Sequence, residues 1–172
     1  MADNFLVLTV IGDDRPGLVG ELSAAIAAHR GNWLESSMSH LAGKFAGIVR
    51  VALPAAQAEP LKAALGRLAA LKVTAETAGG KAVAAGRRLK LALVGHDRIG
   101  IVREVSQVLA RHAVNVEKLE THTASAPMSA EILFHCEAEL AAGAGLDARA
   151  LKAELERLSD DLMVDITLDE TI

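Results

Sequence analysis

The sequence repeats itself. Shifted by 83 positions, Leu8–Ser37 lies on Leu91–Glu120 with 11 identities in 30 ungapped positions. The aligned stretches begin Leu8-Thr-Val-Ile-Gly-Asp-Asp-Arg-Pro-Gly-Leu-Val and Leu91-Ala-Leu-Val-Gly-His-Asp-Arg-Ile-Gly-Ile-Val, and Glu21, Ser23, Ala27, His29 and Asn32 then fall on Glu104, Ser106, Ala110, His112 and Asn115. A duplicated chain of 172 residues has to fold as two small units of one design. The boundary is legible at Ala78-Gly-Gly-Lys-Ala-Val-Ala-Ala-Gly-Arg-Arg88, which is glycine-rich and without periodicity. The expected organisation is a first domain over 1–78, a linker over 79–87 and a second domain over 88–172.

Each half follows the same plan. Phe5 to Ile11 is a continuous apolar run and predicts a buried strand. Leu18, Leu22, Ala25, Ile26 and His29 recur at helical spacing, and Gly31-Asn32 supplies the stop. Trp33–Leu41 and Phe45–Leu53 flank Ala42-Gly43-Lys44, a hairpin signal. Leu61, Leu65 and Leu68 mark a second helix, and 72–77 a last strand. The second half gives strand 89–94, helix 101–112, strands 116–123 and 129–138, a helix marked by Leu151, Leu155 and Leu158, and strand 162–168. This βαββαβ order predicts an α+β fold of two tandem ferredoxin-like domains, antiparallel sheets with helices on one face. The other sheet face stays free.

Composition excludes several functions. Apolar residues make up 51% of the chain but aromatics only 2%, so the cores are aliphatic. Two such small domains are individually marginal and should pack on each other or on a second chain. The net charge of −4 argues against direct nucleic-acid binding. Arg87, Arg88 and Lys90 form the one basic cluster, read as a solvated linker end. No signal peptide and no apolar run long enough for a membrane helix is seen, so a cytoplasmic protein is expected. The single cysteine, Cys136, lies in an alternating strand and reads as a small buried hydrophobe.

The shared turn carries the candidate chemistry. Gly12-Asp-Asp-Arg-Pro-Gly-Leu-Val and Gly95-His-Asp-Arg-Ile-Gly-Ile-Val sit between the first strand and first helix of each half. Such a turn presents free backbone N–H groups at the positive end of a helix, a place for an anion such as a carboxylate. Gly17 and Gly100 would let a ligand or backbone approach closely. A structural reading stands beside this one. Asp14 and Asp97 can cap the helix, Pro16 suits its first turn, and Arg15 and Arg98 can pair with surface carboxylates. Asn32 and Asn115 stand equally between a left-handed cap and a ligand contact.

Strand–Asp-Arg-Pro-Gly-Leu-Val–helix–Gly-Asn–strand resembles the ACT domain, over nearly all of the chain. Two such domains filling a chain of this length resemble the tandem ACT-domain repressors of the glycine cleavage system. The resemblance implies small ligands, usually amino acids, bound at domain interfaces, and dimerisation. It implies ligand contacts from Asp14, Arg15, Pro16, Gly17, Leu18, Val19 and Asn32, and from Asp97, Arg98, Gly100, Ile101, Val102 and Asn115. The second copy departs at Ile99, where the first has Pro16, and at His96 against Asp13.

Other chemistry was sought along the chain. The glycine spacing of Gly12 and Gly17 is that of a P-loop, but Leu18-Val19 follows where Lys and Ser/Thr are required. No Gly-x-Ser-x-Gly elbow occurs. None of the six histidines pairs with another at i, i+4, so no metal site is expected. His29 and His112 suit helix C-termini. No catalytic residue and no cofactor is expected. The resemblance implies a non-catalytic regulator that binds an amino acid such as glycine. It would act on a DNA-binding transcription factor by protein–protein contact, as a homodimer, without touching nucleic acid or membrane. Two alternatives stay open: the regulatory part of an amino-acid or one-carbon enzyme such as formyltetrahydrofolate deformylase, or a structural dimerisation module.

Overall fold

The computed structural model describes residues 3–78, 86–127 and 131–171. The chain divides into two compact units, 1–82 and 83–172. The first runs β1 (Asp3–Asp13), α1 (Leu18–Ala28), β2 (Asn32–Leu41), β3 (Lys44–Pro54), α2 (Ala58–Leu65) and β4 (Lys72–Thr77). The second runs β5 (Arg87–His96), α3 (Ile101–Arg111), β6 (Asn115–Ser125), β7 (Ile132–Ala142), α4 (Ala148–Leu162) and β8 (Val164–Thr171). Each unit is βαββαβ. The sheets are four-stranded, ordered β2-β3-β1-β4 and β6-β7-β5-β8, and every pairing is antiparallel. This is the ferredoxin-like arrangement expected from the element order.

The cores form where period 2 meets period 3.6. Leu6, Leu8 and Val10 of β1 and Val49, Val51 and Leu53 of β3 turn one way, onto Leu18, Leu22 and Ile26 of α1 and Leu61 and Leu65 of α2. Leu89, Leu91 and Leu93 of β5 and Cys136, Ala138 and Leu140 of β7 do the same onto α3 and α4. The run Phe5–Ile11 is therefore buried on one face and not on two. Phe5 and Val7 are only half-buried, and Thr9 and Ile11 are exposed on the opposite face.

Several boundaries depart from the sequence pattern. Arg87 and Arg88 belong to β5, not to the linker. Arg87 makes a two-point bond to Glu170, Nε at 2.7 Å and Nη2 at 2.8 Å, which holds β8 to β5. The linker residues 79–85 and the expected strand start at Ser129 lie outside the described residues. The first helix is stopped by Arg30, at φ +58°, one residue before Gly31. The Gly31 N–H donates to the Ile26 carbonyl at 2.9 Å, closing the left-handed cap. Ala113, at φ +53°, does the same after α3. Gly31 answers to packing, since a Cβ there would meet the Ile26 side chain at 2.7 Å. Helix α2 ends at Leu65, and Leu68 packs on the core from the following loop. The hairpin turn is as expected, with Ala42 and Gly43 both at positive φ.

Candidate functional site

The two β–α turns are built alike. In the first unit the Asp14 N–H donates to the Gly43 carbonyl at 2.9 Å, tying the end of β1 to the β2–β3 hairpin. Beside it Lys44 is bonded to Asp13, and that ammonium holds the Asp13 carboxyl below the usual range. In the second unit the Asp97 N–H donates to the Ile132 carbonyl at 3.0 Å. Gly17 and Gly100 then occupy the position before each helix at φ +95° and +99°. Their carbonyls accept the first helical bonds, from Glu21 N–H at 2.9 Å and Glu104 N–H at 3.0 Å.

These glycines are explained by backbone conformation. A Cβ on Gly17 would come no nearer than 4.0 Å to any neighbour, the Arg15 Nη1, so no close approach requires its absence. The left-handed φ does. Asp14 and Asp97 do not cap: neither helix start carries a side-chain cap bond, and the Asp14 carboxylate lies 3.6 Å from His40 Nε2. The arginines are paired, as one of the two sequence readings held. Arg15 Nη2 donates to Glu21 at 2.6 Å, and Arg98 Nη2 to both oxygens of Glu104 at 3.2 Å. The same pair thus recurs at the same place in both copies. It neutralises the carboxylate in the first turn of each helix and leaves the backbone N–H groups of that turn as the local positive feature.

The structure gathers some of the expected site residues and separates others. Asp14, Arg15, Gly17, Leu18 and Val19, with Gly20 and Phe45, line a shallow hollow of about 170 Å³. Pro16 lies exposed in the same turn and does not line the hollow. Leu18 and its counterpart Ile101 are each only 3% exposed and anchor the helices in the cores. They can offer a ligand their backbone and little side chain. Val19 and Val102 face solvent from the next position. Ile99, in the place of Pro16, is 99% exposed. His40 and Phe45 join the first turn through the hairpin, which no local spacing in the sequence announces.

Asn32 and Asn115 are elsewhere. Asn32 pairs with Ala52, which pairs with Phe5, whereas the turn follows Asp13. Eight strand residues separate the two ends, roughly 26 Å at ~3.3 Å per residue. Asn115, opposite Ala141 and Arg88, is displaced from its turn in the same way. Within one unit no small ligand touches both the turn and the asparagine.

The histidines have structural partners. His29 Nδ1 lies 2.9 Å from the Ala25 carbonyl at the end of α1. His112 Nε2 lies 2.7 Å from Glu154, and His122 stacks on His135 with ring centres 4.7 Å apart. Among the described residues no three His, Cys, Asp or Glu side chains gather to hold a metal. No helix among them is long and apolar enough to cross a membrane.

The ACT domain family model matches residues 4–76, the whole of the described first unit but its edges. A solved structure of an unknown protein from Galdieria sulphuraria is 31% identical, over 99% of this chain and 100% of that one, with a TM-score of 0.89. The chain belongs to the ACT domain family. A second solved structure, of a protein named for a proposed role as glycine cleavage system transcriptional repressor, superimposes over 99% of both chains. Its TM-score is 0.73 at 18% identity, so it shares the tandem ACT fold. No curated protein matches the chain in sequence.

Proposed function

We propose that this tandem ACT protein is a non-catalytic sensor. A small amino acid, glycine first among the candidates, binds by its carboxylate at the exposed β–α turns where ACT units meet, and binding changes contact with a DNA-binding transcription factor. One observation supports this most: the β–α turn is built twice with the same left-handed glycine and the same arginine–glutamate pair at a helix start, and in the first unit it borders a hollow. The end-to-end likeness to the repressor-named structure supports the regulatory role. The net charge of −4 favours a protein partner over DNA as the direct contact. Asn32 and Asn115 take part only where a second copy of the chain brings its asparagine to the turn, which suits a homodimer. Ligand control then follows from different affinities for two packings.

The test is thermal unfolding of the full chain against the twenty amino acids, with Val19→Asp and Val102→Asp beside it. A carboxylate in the first helical turn favours the helix but repels a ligand carboxylate. Binding at a hundredfold excess over Kd stabilises the native state by about 2.7 kcal/mol, several degrees in the midpoint. A shift in the native chain that one aspartate variant loses supports the sensor and names the active copy. No shift at millimolar concentration refutes it and leaves a dimerisation module.

A further inference from the structure

The two units differ on the sheet face turned away from the helices. An antiparallel sheet with one open face sends apolar residues inward and polar ones outward in alternation. The second unit follows that rule: the outward positions of its central strands carry Arg88 and Lys90 on β5 and His135, Glu137 and Glu139 on β7. The first unit does not. Its central strands turn outward Phe5, Val7 and Ile11 of β1 and Ala46, Ile48 and Ala52 of β3. Ile11 is 44% exposed and Ile48 53%. The one charge among them, Arg50, is bonded to Glu35 at 3.0 Å and lies over the Phe5 ring at 4.8 Å. Other charge is confined to the flanking strands, as Glu35 on β2 and Lys72 and Glu76 on β4. The second unit shows that this fold does not need an apolar open face, so the first unit's calls for a cover. An apolar centre inside a polar rim is the build of a protein interface.

The size of the face suits a second copy. Its strands have 11, 10, 11 and 6 residues. At ~4.8 Å between strands and ~3.3 Å per residue they cover roughly 600 Å². Two such faces bury about 1,200 Å² together, the lower end of the range for a specific interface.

Charge selects how the copies meet. Lys72, Thr74 and Glu76 stand opposite Ile11, Thr9 and Val7, so the two charges lie symmetrically about the row Thr74–Thr9–Ile48. Neither has an ion-pair partner among the described residues. About 13 Å of strand keeps them from each other. A two-fold axis along that row, across the strands, sets Lys72 of each copy against Glu76 of the other and Arg50 against Ala46. A two-fold axis along the strands would instead set Glu76 against Glu35, a like-charge meeting that opposes association. The first operator also lays the Asn32 end of one sheet over the turn end of the other, since Asn32, Ala52 and Phe5 share one end row and Leu41, Lys44 and Asp13 the opposite one.

We propose that the open sheet face of the first unit is a homodimer interface, two copies packing face to face about an axis through Ile48 and Thr9. This locates the dimer named above and needs no ligand. The contact is isologous, so each charge pair occurs twice.

The experiment is sedimentation velocity of the full chain, without ligand, over a range of concentrations. The native chain is expected to dimerise and to dissociate on dilution. Ile48→Glu is expected to be monomeric, whereas Ala92→Glu, on the open face of the second unit, remains a dimer. Lys72→Glu turns two attractions into two repulsions and should raise the dissociation constant roughly tenfold. Lys72→Glu combined with Glu76→Lys should restore it. Circular dichroism checks that Ile48→Glu folds; should it not, the charge variants, at exposed positions of an edge strand, read the same surface. Overturning results are a native chain that stays monomeric, a folded Ile48→Glu chain that still dimerises, or a charge reversal that fails to restore the dimer. A monomer that Ile48→Glu destabilises would place the cover within the chain itself, and one that it leaves unchanged would point to a different protein; either ends the proposal. No amino acid enters the measurement, so its failure leaves the sensor reading standing, and failure of every amino acid to bind leaves the interface standing.

Discussion

Gly17→Ala and Gly20→Ala add the same atom three residues apart and should move stability in opposite directions. Gly17 precedes α1 at φ +95°, ψ −7°. An L-residue held in such a conformation costs about 1–3 kcal/mol. The loss is partly offset because alanine restricts the unfolded chain, by about 0.4–1 kcal/mol. Steric conflict adds nothing, since the nearest atom to the new Cβ is 4.0 Å away. The net expectation is a loss of about 1–2 kcal/mol. Gly20 lies inside α1 with nothing within 4 Å of its Cβ position. Alanine there should gain about 0.5–1 kcal/mol. Urea unfolding followed by fluorescence reads both, because the chain's one tryptophan, Trp33, lies in the first unit and packs on its core. A Gly17→Ala protein as stable as Gly20→Ala would show that the left-handed turn is not required. The case for a preformed anion site at the helix start would go with it.

Three further outcomes follow from packing and charge. Leu151→Ala, at a fully buried position of α4, should cost about 2–5 kcal/mol by denaturant unfolding. A loss under about 1 kcal/mol would mean that the second core collapses onto the space. Arg98→Ala removes an exposed pair with Glu104 and should change stability by no more than about 1 kcal/mol. Glu154 accepts hydrogen bonds from Arg111, with Nε at 2.9 Å, and from His112 at 2.7 Å, and these hold its carboxyl below the ordinary value of 4.5. A depressed carboxyl stabilises the fold above its unfolded value and loses that contribution as pH falls through the folded one. Glu154→Gln should therefore be less stable than the native chain at neutral pH, and the gap should close in acid. A gap that persists or widens in acid refutes the assignment.

Most of the fold could be read from the chain because its signals are local and doubled. The repeat fixed two units, and the spacing of Leu22 and Ile26 or Leu151 and Leu155 fixed which faces turn inward. The errors share one cause: residue type was read where geometry decides. Gly31 looks like the cap, but Arg30 bears the left-handed angle and Gly31 makes room for Ile26. Asp14 looks like an N-cap, but Gly17 holds that position. Arg87 looks like linker until Glu170, far along the chain, arrives beside it. Asn32 is not among them: it joins the turn by resemblance alone, and because a helix carries the chain from one end of the sheet to the other, the two lie at opposite ends of one unit. The turn itself was legible as a local motif; the hairpin residues His40 and Phe45 beside it were not, since only sheet register brings them there.

The duplication also shows which differences are coupled. Gly47 and Cys136 occupy equivalent places in β3 and β7, and each suits its neighbour across the strand. A cysteine at Gly47 would collide with the long Met38 side chain and with the β2 backbone, the Ser37 oxygen lying 2.4 Å from its Cβ. At Cys136 the neighbour is Thr121, short enough to leave room. A residue larger than glycine at position 47 therefore needs β2 and β3 to move apart, whatever side chain stands at position 38. The turn is retained in both, down to the arginine–glutamate pair, while Met38 and Trp33 of β2 pack on the first core and their counterparts Thr121 and Val116 on β6 are exposed. Two copies of one βαββαβ module thus differ in side-chain volume along β2 and β6 without differing in fold.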